Sequence, residues 1–450
     1  MHQRRSQFSR RRFLGRSVAA ATAAWFVPHF IPSGRAAGSA NERLNLAFIG
    51  AGGRGRANLN GLASENVVAL CDVDEGKAAS AFADYPQVKR YRDFRKMLDE
   101  VDGQIDAVVV STPDHTHAVA ALDAIRRGKH VFCEKPLAHS IGEVRALQKA
   151  ATEHNIVTQL GNQGHSSDQI RMLCEWIWDG AIGPVHTVHC LRPGSYSRIG
   201  QLASLSEEHA VPESLDWDLW LGPAAERPYH PSFQRSWRGW MPFGTGTIGD
   251  WVCHVVDPAF WALDLGSPTS VVAETDGYDP ERHALTFPRG THVTYEFAAK
   301  GDRGPVTLHW YDGTLAPPRL DEYAWREFPD NTCGLLLGTD GAIRHASHGA
   351  GGVRIMPEEK MRAYERPRPT LPRVPNQNHY VDWLQAIRNG TQAGSNFDYG
   401  GPLTEIALLG VIATRLTGTR LQWDGPAGRF TNSEEANGRI MPQMRAGWSL

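Results

Sequence analysis

The stretch Leu44-Asn45-Leu46-Ala47-Phe48-Ile49-Gly50-Ala51-Gly52-Gly53-Arg54-Gly55 decides the fold. Its first six residues read as a short apolar strand, and the last six fit G-x-G-x-x-G where a helix opens. In a chain with 45 glycines the pattern alone carries little. The strand before it and the helix after it give each glycine a task. The first, Gly50, permits a tight turn, and the second, Gly52, lets the backbone approach a pyrophosphate. Gly55 lets helix and strand pack closely, with Gly53 and Arg54 between. The helix N-terminus then offers free N–H groups to phosphate. Asp72 ends the next apolar run, Val67 to Cys71, twenty residues after Gly52. A carboxylate there accepts from the adenosine ribose and repels a 2′-phosphate, which predicts NAD. Arg54 and Arg56 keep NADP open as the less favoured cofactor.

Outward from this stretch, further apolar runs at 107–110, 130–133 and 156–160 alternate with helix-length segments. That alternation predicts a parallel sheet with crossover helices over 41–165. The pattern then changes. Residues 170–181 read as a helix and 185–191 as a strand. Residues 192–245 are rich in Pro, Gly, Ser and Trp and predict long shaped loops. A helix is expected over 247–264. Strands follow at 269–275, 291–297 and 305–311, with weaker ones at 333–337 and 342–345. The sum is an α/β chain whose second domain, 166–425, carries a large, mostly antiparallel sheet. A proline-rich extended connection at 357–375, helices at 376–389 and 402–417, and a polar tail over 426–450 complete the reading.

Two segments stand at C-terminal ends of parallel strands, where such sheets bind ligands. One is Ser111-Thr112-Pro113-Asp114-His115-Thr116-His117; the other is Gly128-Lys129-His130-Val131-Phe132-Cys133-Glu134-Lys135-Pro136. Two histidines without convergent acids do not make a metal site, so no metal is expected. Further on, Asp250 and His254 stand four apart, on one helix face. An Asp beside a His orients the ring and stabilises its protonated form. By itself His254 reads more readily as a structural histidine, and Lys135 as readily as a surface lysine.

Taken in order, the glycine fingerprint, T-P-x-x-x-H and G-K-H-V-x-C-E-K-P resemble the Gfo/Idh/MocA oxidoreductases, over roughly residues 44–425. The resemblance implies a Rossmann dinucleotide-binding domain followed by an α/β domain with a large open sheet. It implies that Lys135 hydrogen-bonds the reacting oxygen, and that His254 takes the hydroxyl proton with Asp250 setting its orientation. Ser111, Thr112, Pro113, His117 and Glu134 would line the nicotinamide side, and Asn162 and Gln163 would contact cofactor or substrate. The chain departs from the pattern at Gly244-Thr245-Gly246, where three glycines are usual, and at Val252, where a glycine is usual. A homo-oligomer, dimer or tetramer, is a further implication.

The substrate expected is a sugar or cyclitol. Thirteen of the fourteen tryptophans follow residue 170, and six fall between 217 and 261. Flat aromatic faces suit a sugar ring, though tryptophan equally fills a core. Trp237, Trp240 and Trp251 are the candidates nearest the site. Arg192, Tyr196, Arg238 and His165 are candidates for reading hydroxyls. Two other functions stay open: a redox-neutral glycosidase or lyase that oxidises its sugar transiently, and a sugar-binding protein without turnover.

Charge is unevenly spread. The net charge is −2, but residues 1–40 hold seven arginines and no acid. Residues 41–450 therefore carry 40 bases against 49 acids, a charge of −9. An acidic body is a poor partner for nucleic acid. The head Ser9-Arg10-Arg11-Arg12-Phe13-Leu14, a short apolar run from Val18 to Val27, and small residues at 36–40 read as a twin-arginine export signal, cleaved near 37–40. The expected location is the periplasm, reached through the twin-arginine machinery. Six scattered cysteines with no C-x-x-C argue against a disulfide framework and read as buried thiols. No run approaches the length of a membrane span.

Overall fold

Six short strands, each an apolar run bounded by turn residues, assemble into the first sheet. They are β1 (Asn45–Ile49), β2 (Asn66–Cys71), β3 (Lys89–Tyr91), β4 (Ala107–Val110), β5 (His130–Cys133) and β6 (Thr158–Leu160). The computed structural model describes residues 43–318 and 332–450. The export signal read in residues 1–40 lies outside the described residues. The sheet runs in the order β3-β2-β1-β4-β5-β6, with every pair parallel. This is the order of two mononucleotide-binding halves meeting between β1 and β4. All four residues of β4 are buried, as expected of a central strand covered on both faces. The helices α1 (Arg54–Gly61) and α2 (Glu75–Asp84) pack on one face, and α3 (Phe94–Val101), α4 (Asp114–Arg126) and α5 (Ile141–Glu153) on the other.

The second sheet has nine strands: β7 (Val185–Pro193), β8 (Ser270–Asp276), β9 (Gly290–Phe297), β10 (Val306–Gly313), β11 (Cys333–Gly338), β12 (Gly341–Ala346), β13 (Arg354–Met356), β14 (Leu421–Asp424) and β15 (Arg429–Phe430). Its order is β13-β12-β11-β7-β10-β9-β8-β14-β15. Only β7 and β10 run parallel; the other pairs are antiparallel. Between the sheets come α6 (Asp168–Trp178), α7 (Trp217–Leu221), α8 (Pro231–Arg235), α9 (Gly246–Val255) and α10 (Asp257–Ala262). Val252 and Cys253 of α9 join Val188, Cys190, Val293, Tyr295 and Trp310 of the second sheet in one core. The long helix Phe397–Arg415 packs there so closely that a side chain on Gly410 would meet the Tyr295 hydroxyl at 2.1 Å.

The structure departs from the expected elements in several places, the strands β13, β14 and β15 among them. β3 was not expected, because Lys89-Arg90-Tyr91 is a polar edge strand with no apolar run. The helix expected over 247–264 is two helices, broken at Val256, with Pro258 in the first turn of α10 where it removes no helical hydrogen bond. The extended connection after 357 holds a one-turn-plus helix, Glu358–Ala363. The helix His379–Asn389 packs Trp383 and Leu384 against Phe48 and Phe132 of the first sheet, so a segment assigned to the second domain completes the core of the first. The tail lies across the first half, with Trp448 beside Phe94 at 6.1 Å and under the Arg95 guanidinium at 4.5 Å. All six cysteines are buried and unpaired. Among the described residues, no helix is long and apolar enough to cross a membrane.

Thr245, the departure from a glycine triplet, joins the two halves. Its N–H and its hydroxyl both donate to Asp114 Oδ2, at 3.0 and 2.7 Å, and both residues are buried. Burial pushes the Asp114 carboxyl above its ordinary range. Removing a donor from a buried carboxylate costs about 1–3 kcal/mol. Thr245→Val should therefore lower the unfolding free energy by that amount, read from urea midpoints at constant m-value.

Candidate active site

The glycine loop is shaped by close approach. Gly50 has φ 84°, and a Cβ there would meet the Ser111 carbonyl at 2.8 Å. A Cβ on Gly55 would stand 1.7 Å from the Gly50 carbonyl oxygen, so the helix rests directly on the strand end. Gly53 instead faces open space, and α1 begins there with no side-chain cap. An uncapped helix start beside open space is a cradle for an anion. The Asp72 carboxylate accepts from the N–H groups of Ala51 and Gly52, both at 2.9 Å, and its other oxygen from Asp74 N–H at 2.9 Å. It thereby fixes the loop while presenting negative charge at the end of β2.

This loop forms one wall of a cleft of about 450 Å³ between the two halves. Gly50, Gly52, Gly53, Arg54, Asp72, Ser111, Thr112, Pro113, Glu134, Lys135, Gln163, Trp237, Arg238 and His254 all line it. The cleft is of ligand size.

Two buried carboxylates organise its floor. Glu134 Oε1 accepts from Arg54 Nε at 2.8 Å, Asn58 Nδ2 at 3.0 Å and Gln163 Nε2 at 3.0 Å. Tyr380 closes this network by donating to Asn58 Oδ1 at 2.7 Å. Arg54 is thus held by Glu134, and Arg56 pairs with Asp84, so neither is free to favour a 2′-phosphate. The second carboxylate, Asp250, accepts on Oδ1 from Lys135 Nζ at 2.5 Å and Arg238 Nε at 2.9 Å. Its Oδ2 accepts from the Tyr196 hydroxyl at 2.8 Å.

His254 stands one helical turn after Asp250 but receives no hydrogen bond from it. Both oxygens of Asp250 are already engaged, and His254 Nδ1 is buried without a partner. The expectation that Asp250 sets the orientation of His254 therefore finds no hydrogen bond to carry it. Burial pushes the His254 imidazole well below its ordinary pKa, and the charges of Lys135 and His348 push the same way.

Several expected site residues sit elsewhere. Gly55 is buried beneath the loop. His117 is buried behind the cleft, with its ring nitrogens 2.8 Å from the carbonyls of Pro136 and Thr112. Asn162 and His165 turn away to the buried Asp257, at 3.2 and 3.1 Å, and His165 stacks on Trp261. A buried carboxylate with few donors claims these side chains, although the chain there leaves a strand end. Tyr196, Trp251 and Arg192 form a layer behind Asp250: Trp251 donates to the Tyr196 hydroxyl at 3.0 Å, and Arg192 lies over the Trp251 ring at 4.4 Å. Trp240 is wholly buried, packed with Phe233 and Phe243. His115 is buried with its ring nitrogens near the carbonyls of Phe243 and Trp220, a structural role. Outside the cleft lining, Glu207, His209 and His230 bring ligand-type atoms within 4.8 Å of one another, and His230 Nδ1 there accepts from Ser232 N–H.

Among the cleft residues the sequence reading missed are Asp74, Lys77, Arg92, Trp220 and His348. Asp74 and Lys77 follow Asp72 closely enough to have been suspected. His348 carries no motif.

The fold and the cleft define a two-domain dinucleotide-binding protein. Residues 44–162 match the family model described as "Oxidoreductase family, NAD-binding Rossmann fold", and residues 198–301 match that family's C-terminal alpha/beta domain. The chain belongs to the Gfo/Idh/MocA oxidoreductase family, and its first half is the NAD-binding domain. It is 27% identical over 279 residues to levoglucosan dehydrogenase of Pseudarthrobacter phenanthrenivorans, covering 59% of this chain and 62% of that one. It is 33% identical over 153 residues to inositol 2-dehydrogenase of Burkholderia multivorans, covering 33% and 45%. The match therefore spans about half to three-fifths of these relatives' lengths. By fold it is similar to the WlbA dehydrogenase from Bordetella pertussis, solved with NADH and UDP-GlcNAcA, with TM-score 0.57, 15% identity, and 85% and 99% of the two chains covered.

Asp250 also gives a pH prediction. Burial pushes its carboxyl up, but Lys135 and Arg238 outweigh burial and hold it well below the usual carboxylate range. A depressed folded pKa contributes stability above the unfolded value of about 3.9, and that contribution is lost as pH falls toward the folded value. Asp250→Asn should be less stable than wild type at neutral pH, and the gap should narrow below about pH 4. Urea midpoints across that range measure it.

Proposed function

We propose that the protein is an exported, NAD-dependent oxidoreductase that acts on a hydroxyl or carbonyl of a sugar or cyclitol, holds its nicotinamide cofactor tightly, and works in the periplasm as a homo-oligomer. The observation that carries this reading is the placement of Lys135 and His254 on the same cleft as the glycine loop and Asp72. The names of the two relatives, levoglucosan dehydrogenase and inositol 2-dehydrogenase, support the substrate class.

The cradle at Gly53, the α1 N-terminus and the Asp72 carboxylate fit a dinucleotide, and Asp72 favours one without a 2′-phosphate. When bound, the nicotinamide accepts or gives up hydride. The chain's own residues position the substrate and move the proton. Lys135 uses hydrogens on Asp250's carbonyl, at 2.9 Å, and its carboxylate, and an ammonium group has three. One remains for a substrate oxygen, where the nearby positive charge lowers the cost of alkoxide character. Asp250 holds the ammonium in place. Burial and the charges of Lys135 and His348 disfavour the charged form of His254, which suits a group that accepts the hydroxyl proton and passes it on. Trp237 and Trp220 offer aromatic surface to a sugar ring.

Tight retention is supported at the adenosine end. The segment 212–238 of the second half is strapped to the first sheet's edge. Leu215 bridges Asp74, the Glu75 N–H donates to the Ser214 carbonyl and the Asp216 N–H to the Val73 carbonyl, both at 2.9 Å. Gln234 donates to Asp74, and Lys77 Nζ donates to the Gln234 carbonyl at 3.3 Å. Release from beneath such a strap requires these bonds to open together. Slow release suits a compartment where free NAD is scarce.

Protein purified from periplasm should lack about the first 40 residues, as expected of a cleaved signal, and should release NAD on acid denaturation. Both are read by mass spectrometry. A panel including levoglucosan and inositol, followed by cofactor fluorescence, should give turnover. Lys135→Ala should lower that turnover by roughly 10²–10³-fold. Protein free of nucleotide and silent toward the whole panel would refute the reading.

A further inference from the structure

What orients His254, if Asp250 does not? Its ring lies on that of His348, with centroids 4.0 Å apart and planes 24° from parallel. Trp251 stands edge-on to both, at 6.0 Å from His254 and 5.4 Å from His348. These rings, and no hydrogen bond to Nδ1, fix the plane in which His254 presents its other nitrogen.

The backbone under His348 is arranged for this. The turn after β12 carries three successive left-handed residues: His348 at φ 53°, Gly349 at φ 93° and Ala350 at φ 61°. Residues with a β-carbon rarely adopt that conformation, and held there they mark a place where the surroundings impose it. The imposing contact is visible. A Cβ on Gly164 would meet the Gly349 nitrogen at 2.3 Å, and a Cβ on Gly349 would meet the Gly164 carbonyl oxygen at 2.5 Å. The turn is therefore seated backbone to backbone on the segment that follows β6 and contributes Gln163 to the cleft. Gly352 N–H donates to Gln169 Oε1 at 2.6 Å, tying down its far side. The Ser347 hydroxyl stands 2.9 Å from His348 Nδ1 and sets the ring.

We propose that His348 is a positioning residue for His254, holding the base by ring stacking and limiting the stacked pair to a single imidazolium. The proposal rests on the functional reading above for the identity of the base, but not for the coupling of the two rings. Lys135, Asp250 and Arg54 face both imidazoles, and each imidazole faces the other. With two fixed cations and one acid around them, a second imidazolium is strongly disfavoured. One imidazolium on the face of a neutral ring is acceptable, since the π-face attracts a cation. The surroundings thus disfavour charge on either ring, while the stacked pair can still hold one imidazolium during turnover. Because His348 itself lines the cleft, protons gained by the pair have a half-exposed ring next to them.

The test uses the full chain with its retained nucleotide and histidine-selective NMR across pH. His348→Phe keeps a flat ring and removes the titrating group. His348→Asn removes the ring but tolerates left-handed backbone, so the turn is kept. His348→Phe should raise the His254 midpoint by about one pH unit, and His254→Phe should raise that of His348 equally, because coupling is reciprocal. For a sugar turned over by wild type, His348→Phe should keep kcat within about two-fold and move the acid limb of the profile. His348→Asn should lower kcat roughly ten-fold with KM little changed. Unmoved midpoints in both single variants, or equal losses of kcat in His348→Phe and His348→Asn, would overturn the proposal. If wild type turns over no sugar, the functional reading fails, and the NMR titration alone decides the role of His348.

Discussion

The Asp250 carboxylate is the contact on which the cleft depends. It takes Lys135 from the first half, and Arg238 and Tyr196 from the second. Without its negative charge, two cations would face each other across a half-buried wall. With it, the E-K-P turn of the Rossmann domain and the helix α9 are bound at the point where both meet the cleft. The ion pairs are buried enough that solvent screens them little, and the desolvation of the acid is offset by two cations and a hydroxyl rather than by one partner. Glu134 repeats the arrangement a residue away, neutralising Arg54 and gathering Asn58 and Gln163. The cleft is therefore bounded by two carboxylates: Asp250 is saturated with donors on both oxygens, and Glu134 takes three donors on Oε1.

That saturation explains which parts of the site were legible. The glycine loop, Asp72, Glu134 and Lys135 lie at strand ends, and the apolar runs that mark those strands are unmistakable in sequence. α9 was legible as a helix with Asp250 and His254 on one face, but face-sharing does not decide which neighbour wins a lone pair. Lys135, Arg238 and Tyr196 reach Asp250 from three other segments, and no local pattern announces them. The same competition hid Asn162 and His165. They follow β6 as a ligand-binding pair would, yet Asp257 is buried with Tyr399 and needs their donors as well. His348 was invisible for a different reason. It sits in a glycine-rich turn whose shape depends on backbone contact with Gly164, far away in sequence.

The fold as a whole was legible because its strands are. The parallel sheet followed from apolar runs alternating with helix-length segments, and the second sheet from successive runs without helices between. Domain boundaries were less so. The helix His379–Asn389 reads as part of the second half but buries Trp383 against the first sheet, and Tyr380 of the same helix reaches Asn58 and Arg54 in the glycine-loop helix. The two halves are thus joined at several levels: Tyr380 under the loop, Thr245 on Asp114, the 212–238 strap past Asp72, and the tail across α3.

These joints bear on how the cleft could open. An enzyme whose halves swing freely exchanges its nucleotide at each turnover and depends on the pool around it. Here the strap, the Asp114–Thr245 contact and the Asp250 cluster all oppose opening, and they lie along the length of one cleft. Opening the adenosine end would break backbone hydrogen bonds at Val73 and Glu75, and opening the far end would separate Lys135 from its counter-ion. Both costs fall on the same motion, so they add. The strap, the Asp114–Thr245 contact and the Asp250 cluster thus hold the two halves together along one cleft, and each is built from residues far apart in the chain.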